Sequence, residues 1–347
     1  MNKIIKEDVR SIIDNFDHWE VFRNKTILIS GANGFLPAYL VETFLSLDPA
    51  LHVKVVALVR NRRKAETRFE HWLQNPMLEI LEQDVCQDIS YAAPVHFIIH
   101  AASQASPKYY GTDPVGTLNA NVTGTINLMK LAHLKQVESL LYFSSGEVYG
   151  TVDEKNIPIP EDGYGYLDPT QVRSCYAESK RMGENICVSW HHQFGVKAKI
   201  VRPFHTYGPG MALDDGRVFA DFVSNILQGK DITLNSDGSA RRAFCYLTDA
   251  TLGFLTVLIK GENGQAYNVG NPTQEYSIWE LAEVMTTIKP EKNLKVYINE
   301  AYVQGNNYLK SPYPRNSPAI DKIRKLGWEP KTSVKIGFTR TVESFLA

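Results

Sequence analysis

Three observations predict an α/β protein built on a doubly wound parallel sheet. Short apolar runs that suit buried parallel strands alternate along the chain with segments whose apolar residues recur at helical spacing. The first run stops at a pair of glycines, Gly31 and Gly34, which opens directly into such a helix. Beyond about residue 207 the alternation gives way to stretches rich in glycine, proline and charge, which predicts a smaller C-terminal lobe interleaved with the sheet.

Ahead of the first strand, Ile4, Ile5, Val9, Ile12, Ile13 and Phe16 recur at helical spacing. Residues 1–24 should therefore hold an amphipathic helix, packed on its own subunit or contributing to an oligomer contact. The first strand and its turn follow in Thr26-Ile-Leu-Ile-Ser-Gly31-Ala-Asn-Gly34-Phe-Leu-Pro37, with Leu36, Leu40, Val41, Phe44 and Leu45 continuing as a helix. Glycine lets the chain turn sharply and approach a pyrophosphate, whose charge the N–H groups and dipole of the next helix stabilise. Gly31, Asn33, Gly34, Phe35 and Leu36 are the contacts expected from a dinucleotide there. Pro37 occupies the third glycine position of the spacing, which a helix's first turn tolerates.

The second strand, Val53 to Val59, ends at Arg60. An acidic residue at this point would meet the ribose hydroxyls of NAD, whereas arginine accommodates a 2′-phosphate, so Arg60 leaves NADP open beside NAD. A third strand over Glu79 to Leu81 precedes Asp84 and Val85, which are placed to reach the adenine. Phe97 to His100 then runs into Ala101, Ala102 and Ser103, small residues that let the backbone lie against a flat cofactor. The helix from Asn119 to Leu131, carrying Asn121, leads to the strand Leu140 to Phe143 and the turn Ser144-Ser145-Gly146-Glu147.

A helical segment from Arg173 to Trp190 is followed by the strand Lys199 to Arg202, closing at Pro203. Ala266 to Val269 reads as a late strand. The rest, with Pro312, Pro314, Pro318 and a closing helix from Ser333, belongs to the smaller lobe. The expected division is thus 1–24, then 25–206 with 243–270 for the dinucleotide, and 207–242 with 271–347 as the covering lobe.

Composition narrows the function. With 44% hydrophobic residues, 22% charged and a net charge of -1 over 347 residues, nothing favours a nucleic-acid partner, an acidic membrane or disorder. No apolar stretch of about 18 residues predicts a membrane span, and a cytoplasmic location is the expectation. Cys86, Cys175, Cys187 and Cys245 lack CxxC spacing, so free thiols are expected and no metal site.

Chemistry concentrates in Ser145, Tyr176 and Lys180. Tyr176 and Lys180 lie one helical turn apart on one face. A phenol is a poor base at neutral pH, and a neighbouring ammonium together with a nicotinamide cation is expected to favour its ionised form. It could then take a proton from a hydroxyl while Ser145 holds that hydroxyl in place.

The order of these features resembles the extended short-chain dehydrogenase/reductases, from about Lys25 to the end of the chain. The matching stretches include His100-Ala-Ala-Ser-Gln-Ala-Ser-Pro107-Lys-Tyr109, Ser144-Ser-Gly-Glu-Val-Tyr-Gly150, Cys175-Tyr-Ala-Glu-Ser-Lys-Arg181 and Arg202-Pro-Phe-His-Thr-Tyr-Gly-Pro209. Asp215-Gly-Arg-Val218, Gly238-Ser-Ala-Arg-Arg-Ala-Phe244, Asn268-Val-Gly-Asn271 and Leu326-Gly-Trp328 complete them. Within that superfamily the chain is most similar to nucleotide-sugar enzymes, in particular the UDP-glucuronate decarboxylases. The resemblance implies tightly bound NAD, a transient 4-keto sugar and a nucleotide-diphosphate-sugar substrate. It implies catalytic roles for Ser145, Glu147, Tyr176 and Lys180, and substrate contacts at Ser106, Pro107, Glu147, His205, Arg217, Val218, Asn235, Arg242 and Arg315. It further implies a homodimer formed through the Asn119 to Leu131 and Arg173 to Trp190 helices.

Three positions depart from the pattern. Gly146 stands where 4,6-dehydratases commonly carry an aspartic acid and decarboxylases a serine. His205 replaces an asparagine, and Asn235 replaces an aromatic residue. A 4-epimerase or 4,6-dehydratase on another nucleotide sugar therefore stays open, as does a non-catalytic dinucleotide-binding sensor, against which the intact Ser145, Tyr176 and Lys180 argue.

Overall fold

The computed structural model describes residues 1–299 and 314–346, so Pro312 lies outside the described residues. In chain order the first elements are α1 (Lys3–Asp14), β1 (Thr26–Ser30), α2 (Phe35–Leu45), β2 (Lys54–Val59), α3 (Arg62–Arg68), β3 (Leu78–Glu82) and β4 (Phe97–His100). Next come α4 (Pro107–Thr112), α5 (Pro114–Lys135), β5 (Ser139–Phe143), α6 (Cys175–Phe194), β6 (Ala198–Pro203), β7 (Thr206–Tyr207) and α7 (Val218–Gln228). The chain continues through β8 (Ile232–Leu234), β9 (Arg241–Ala243), β10 (Cys245–Tyr246), α8 (Leu247–Lys260), β11 (Ala266–Val269), β12 (Glu275–Ser277), α9 (Ile278–Thr286), β13 (Val296–Ile298) and β14 (Arg315–Asn316). A helix over Val334–Ser344 closes it.

Seven strands form one parallel sheet in the order β3-β2-β1-β4-β5-β6-β11. The order reverses between β1 and β4, and ligands of such sheets bind beyond the strands' carboxyl ends at that point. The apolar runs are continuous because both faces are covered. Ile27, Ile29, Ala57, Ile99 and Leu141 pack towards α2 and α8, while Leu28, Val56, Ile98, Leu140 and Ile200 pack under α5 and α6.

The predicted elements all form, with boundaries that local chemistry explains. Helix α5 starts five residues before Asn119 because the Asp113 carboxylate accepts the Gly116 N–H at 3.0 Å and Pro114 occupies the first turn. Residues Val172–Ser174 form a separate 3-10 turn ahead of α6. A second core gathers Tyr207, Phe219, Phe244 and Phe338, the Tyr207 and Phe338 rings stacking at 3.8 Å and 10°. Beside it lie the small sheets β12-β9-β14 and β13-β8. Among the described residues, no helix is long and apolar enough to cross a membrane.

Helix α1 packs on its own chain, burying Ile4, Val9 and Ile12. It is anchored by Asp8, a residue whose spacing carried no signal. The Asp8 carboxylate accepts from the Tyr246 hydroxyl at 2.6 Å and the Tyr39 hydroxyl at 3.2 Å, and Arg340 Nη2 of the C-terminal helix lies 2.7 Å away. Replacing Asp8 by Ala leaves the buried Tyr39 and Tyr246 hydroxyls without their acceptor, while Arg340 keeps Glu7 and the Ile4 carbonyl. The expected outcome is a loss of ~2–3 kcal/mol in urea unfolding, and an unchanged midpoint would contradict the anchor.

Candidate active site

The glycine turn sits at the carboxyl end of β1. Gly31 has φ +65°, and a Cβ there would lie 2.7 Å from the Ala102 Cα, so no larger residue fits without moving that backbone. Gly34 precedes α2 and offers its first turn no side-chain acceptor, which leaves those N–H groups for an anion. The ends of β1 and β4 are fastened by Ser30, whose Oγ accepts the Ala101 and Ala102 N–H groups at 3.2 Å each and meets His100 Nδ1 at 2.8 Å. Burial, with Lys180 next, pushes His100 down to about 3, so it stays neutral, and its Nε2 faces Thr125 Oγ1 at 3.1 Å.

Gly34, Phe35, Leu36, Ala101, Ser103 and Pro203 line a cavity running on from this turn. The Ser103 Oγ is buried with no hydrogen-bond partner among the described residues. A turn without room for a Cβ, an uncapped helix start and an orphaned hydroxyl together fit a dinucleotide. Gly31, Asn33 and Ala102 belong to the same turn and strand end. Arg60 is exposed just past β2, and Asp84 caps the Cys86 N–H at 2.9 Å. Val85 and Asn121 are buried and do not line the cavity. Val85 packs beneath Gly124, and Asn121 donates from Nδ2 to Ser179 Oγ at 2.9 Å across α5 and α6.

Ser145, Glu147, Tyr176 and Lys180 meet in that same cavity. The anticipated lowering of the phenol by Lys180 is not found in the protein alone. Burial, then the Glu147 charge, pushes Tyr176 up to about 12, opposed by a hydrogen bond with Ser145 and by Arg217 and Arg173. The Lys180 Nζ lies 5.8 Å from the Tyr176 ring centre and donates to the Phe143 carbonyl at 2.6 Å. Burial lowers Lys180 to about 7, with Glu184 pulling the other way.

That lowering predicts a pH-dependent stability. Between about pH 7 and the ordinary lysine value of 10.5 the unfolded chain holds the proton that folded Lys180 has lost, so its contribution improves as pH rises through that window and is poorest below it. Lys180→Met should therefore unfold later than the parent at pH 6, by on the order of 2 kcal/mol, with the gain vanishing near pH 10. Thermal melts at the two pH values check this; equal melting at pH 6 would contradict it.

Two residues that sequence reasoning did not single out complete the constellation. Arg173 Nη1 is 3.1 Å from Glu147 Oε2, and its guanidinium lies 4.6 Å over the Tyr110 ring. Tyr110 in turn stacks on Tyr176 at 4.9 Å and 17°. Both residues fall within or beside the matching stretches, yet only the fold brings them together. At Gly146, a Cβ would lie 3.0 Å from the Phe204 ring, so a side chain there needs that ring to give by a few tenths of an ångström.

On the far wall, Pro107, His205 and Arg217 face the cavity, with Phe219 and Asn316 beside them. Ser106 Oγ donates to the Asp215 carbonyl at 2.6 Å, and Arg217 pairs with the Asp215 carboxylate at 3.2 Å. Val218 is the first residue of α7, and Asn235 is half-buried after β8. Arg242 is buried on β9 and donates to the Arg241 and Pro314 carbonyls. Arg315 does not line the cavity; it is held by Glu275 through contacts of 2.7 and 3.1 Å. A wider groove of about 890 Å³ lies at the sheet's edge along β11, away from Tyr176, among mixed charges such as Asp162, Arg181, Asp321 and Lys322.

The model of the NAD dependent epimerase/dehydratase family matches residues 27–270. UDP-glucuronic acid decarboxylase 5 of Arabidopsis thaliana is 35% identical over 325 residues, covering 93% of this chain and 89% of its own. The structure of an epimerase from Methanothermobacter thermautotrophicus superposes with a TM-score of 0.80 at 21% identity, covering 96% of this chain and 95% of that one. A dTDP-glucose 4,6-dehydratase from Bacillus anthracis, solved in complex with NAD, superposes with a TM-score of 0.73 at 20% identity, over 93% and 96%. These two likenesses establish the fold.

Proposed function

The chain belongs to the NAD dependent epimerase/dehydratase family, and on that premise we propose that it decarboxylates UDP-glucuronate through a transient 4-keto sugar. The observation that carries the reading is the meeting of Tyr176, Ser145 and Glu147 in one cavity beside the glycine turn, in a chain 35% identical to a UDP-glucuronic acid decarboxylase. NAD, when bound, supplies the oxidant for C4 of the sugar and the reductant that later restores it. Gly31, Gly34 and the start of α2 hold its pyrophosphate, and Ala101 to Ser103 support its flat part.

The protein's own groups handle protons and position. In its ionised form Tyr176 takes the proton of the C4 hydroxyl, which Ser145 orients through its hydroxyl. A ketone at C4 lets electrons released from the C5–C6 bond delocalise, so the C6 carboxylate leaves as carbon dioxide. Glu147, steadied by Arg173 at 3.1 Å, handles the proton that C5 then requires. Dehydration is less well served, because Gly146 supplies no acid to protonate the leaving hydroxyl.

Purified protein incubated with UDP-glucuronate is expected to release carbon dioxide and leave a UDP-pentose. Inversion at C4 without gas release would replace this reading with epimerisation. Unchanged substrate together with turnover of a dTDP-, GDP- or CDP-sugar would overturn it.

The reading extends to assembly and place. Val115, Leu118 and Leu134 on α5 and Met182, Val188 and Phe194 on α6 are exposed apolar side chains, which supports a homodimer through these helices, checked by sedimentation. Four free cysteines suit a reducing compartment, the cytoplasm. Residues 25–206 with 243–270 carry the dinucleotide, and 207–242 with 271–347 close the sugar side.

A further inference from the structure

We propose that Arg173 is a positioning residue that sets the charge preference of the site: its guanidinium offsets the Glu147 carboxylate from outside the cavity, so that a sugar bearing its own carboxylate can approach the same wall. The inference rests on the reading above that the substrate is a nucleotide-linked uronate.

Glu147 lines the cavity and Arg173 does not. Arg173 Nη1 nonetheless lies 3.1 Å from Glu147 Oε2. Two further features fix the arginine. It belongs to the 3-10 turn Val172–Ser174 that leads into α6, where the Ser174 N–H donates to the Gln171 carbonyl at 2.9 Å. Its guanidinium also lies 4.6 Å over the ring of Tyr110, which is buried and donates its hydroxyl to the Ala105 carbonyl at 3.0 Å. The positive charge is thus held by a ring and a turn as well as by Glu147, and a planar guanidinium suits both contacts.

In the reading above the sugar's C4 hydroxyl meets Tyr176 and Ser145. The C6 carboxylate, two bonds from C4, then enters the corner where Glu147 stands. Like charges brought together on a partly dehydrated wall repel, and the cost changes affinity by about tenfold. The lysine and arginine of the described lining are engaged elsewhere: Lys180 Nζ donates to the Phe143 carbonyl, and Arg217 pairs with Asp215 at 3.2 Å. Arg173 is the cation that the structure sets directly against Glu147. A neutral sugar brings no charge to C6, so the effect of Arg173 falls on the choice between an acidic sugar and its neutral counterpart.

The test is titration calorimetry with UDP-glucuronate and UDP-glucose near pH 7.5, every protein carrying Tyr176→Phe so that bound ligand is not turned over. Arg173→Gln is expected to bind UDP-glucuronate about tenfold more weakly while UDP-glucose changes by no more than about twofold. Arg173→Lys, which keeps the charge, should hold the ratio of the two affinities within about threefold of the parent. Adding Glu147→Gln to Arg173→Gln should bring the ratio back to the same range, because the opposing carboxylate is gone. Should Arg173→Gln not fold, Glu147→Gln alone is expected to shift the ratio about threefold or more towards UDP-glucuronate. Equal weakening of both ligands, or a ratio that no variant moves, overturns the inference and leaves the decarboxylase reading standing. A lysine variant that behaves as the glutamine one does assigns the effect to shape and overturns it too. A parent that binds UDP-glucose and not UDP-glucuronate overturns both.

Discussion

Tyr176→Phe is expected to lower kcat for UDP-glucuronate by about 10³-fold, with cofactor affinity changed by no more than about twofold. The ring is held independently of its hydroxyl, since Tyr110 stacks on it at 4.9 Å and α6 fixes its backbone. Only the hydrogen bond with Ser145 is lost, so melting should move little. The loss should fall on kcat rather than KM, because the hydroxyl handles a proton that moves only as C4 is oxidised. Single-turnover absorbance of the reduced cofactor reads the step directly. Turnover at parental rate in this variant would remove Tyr176 from the chemistry and revive a cofactor-binding sensor as the reading.

The same residue shows where sequence reasoning runs short. Tyr176 and Lys180 were legible because four residues on a helix make one face, and the strands because parallel sheets covered on both sides need unbroken apolar runs. The electrostatics were not legible. The expected lysine effect is local, whereas burial, which dominates at Tyr176, is set by α4 and the turn after β5 closing over the phenol. Partners far apart in sequence were equally hidden. Asp8 and Arg340 meet across 332 residues, and Arg173 reaches Glu147 from a turn 26 residues away. Nor could charge alone tell that Arg217 faces the cavity while Arg315 is held by Glu275. Each is an arginine beside a loop, and tertiary pairing decides.

Arg202 is another such case, and it yields the largest expected effect on stability. At the sequence level it is the polar end of an apolar strand. In the structure it is 1% exposed, and its Nε and Nη2 meet the two oxygens of Glu184 at 2.8 and 2.6 Å. Its Nη1 donates to the Tyr149 hydroxyl at 2.8 Å and the Glu161 carbonyl at 2.6 Å. Glu184 also accepts from Ser144, so the pair ties β6 and α6 to the turn that presents Ser145. Arg202→Met leaves a buried carboxylate without its main counter-charge and is expected to destabilise by ~3–5 kcal/mol, lowering the melting temperature by about 10 °C. Removing both charges, in Arg202→Met with Glu184→Met, should restore part of that loss, because neither member of this pair is left without its counter-charge. Activity should not return with it, since Glu184 also raises Lys180 against burial and the double variant leaves that ammonium with less support. A double variant as unstable as the single one would show that shape, rather than charge pairing, holds these elements together.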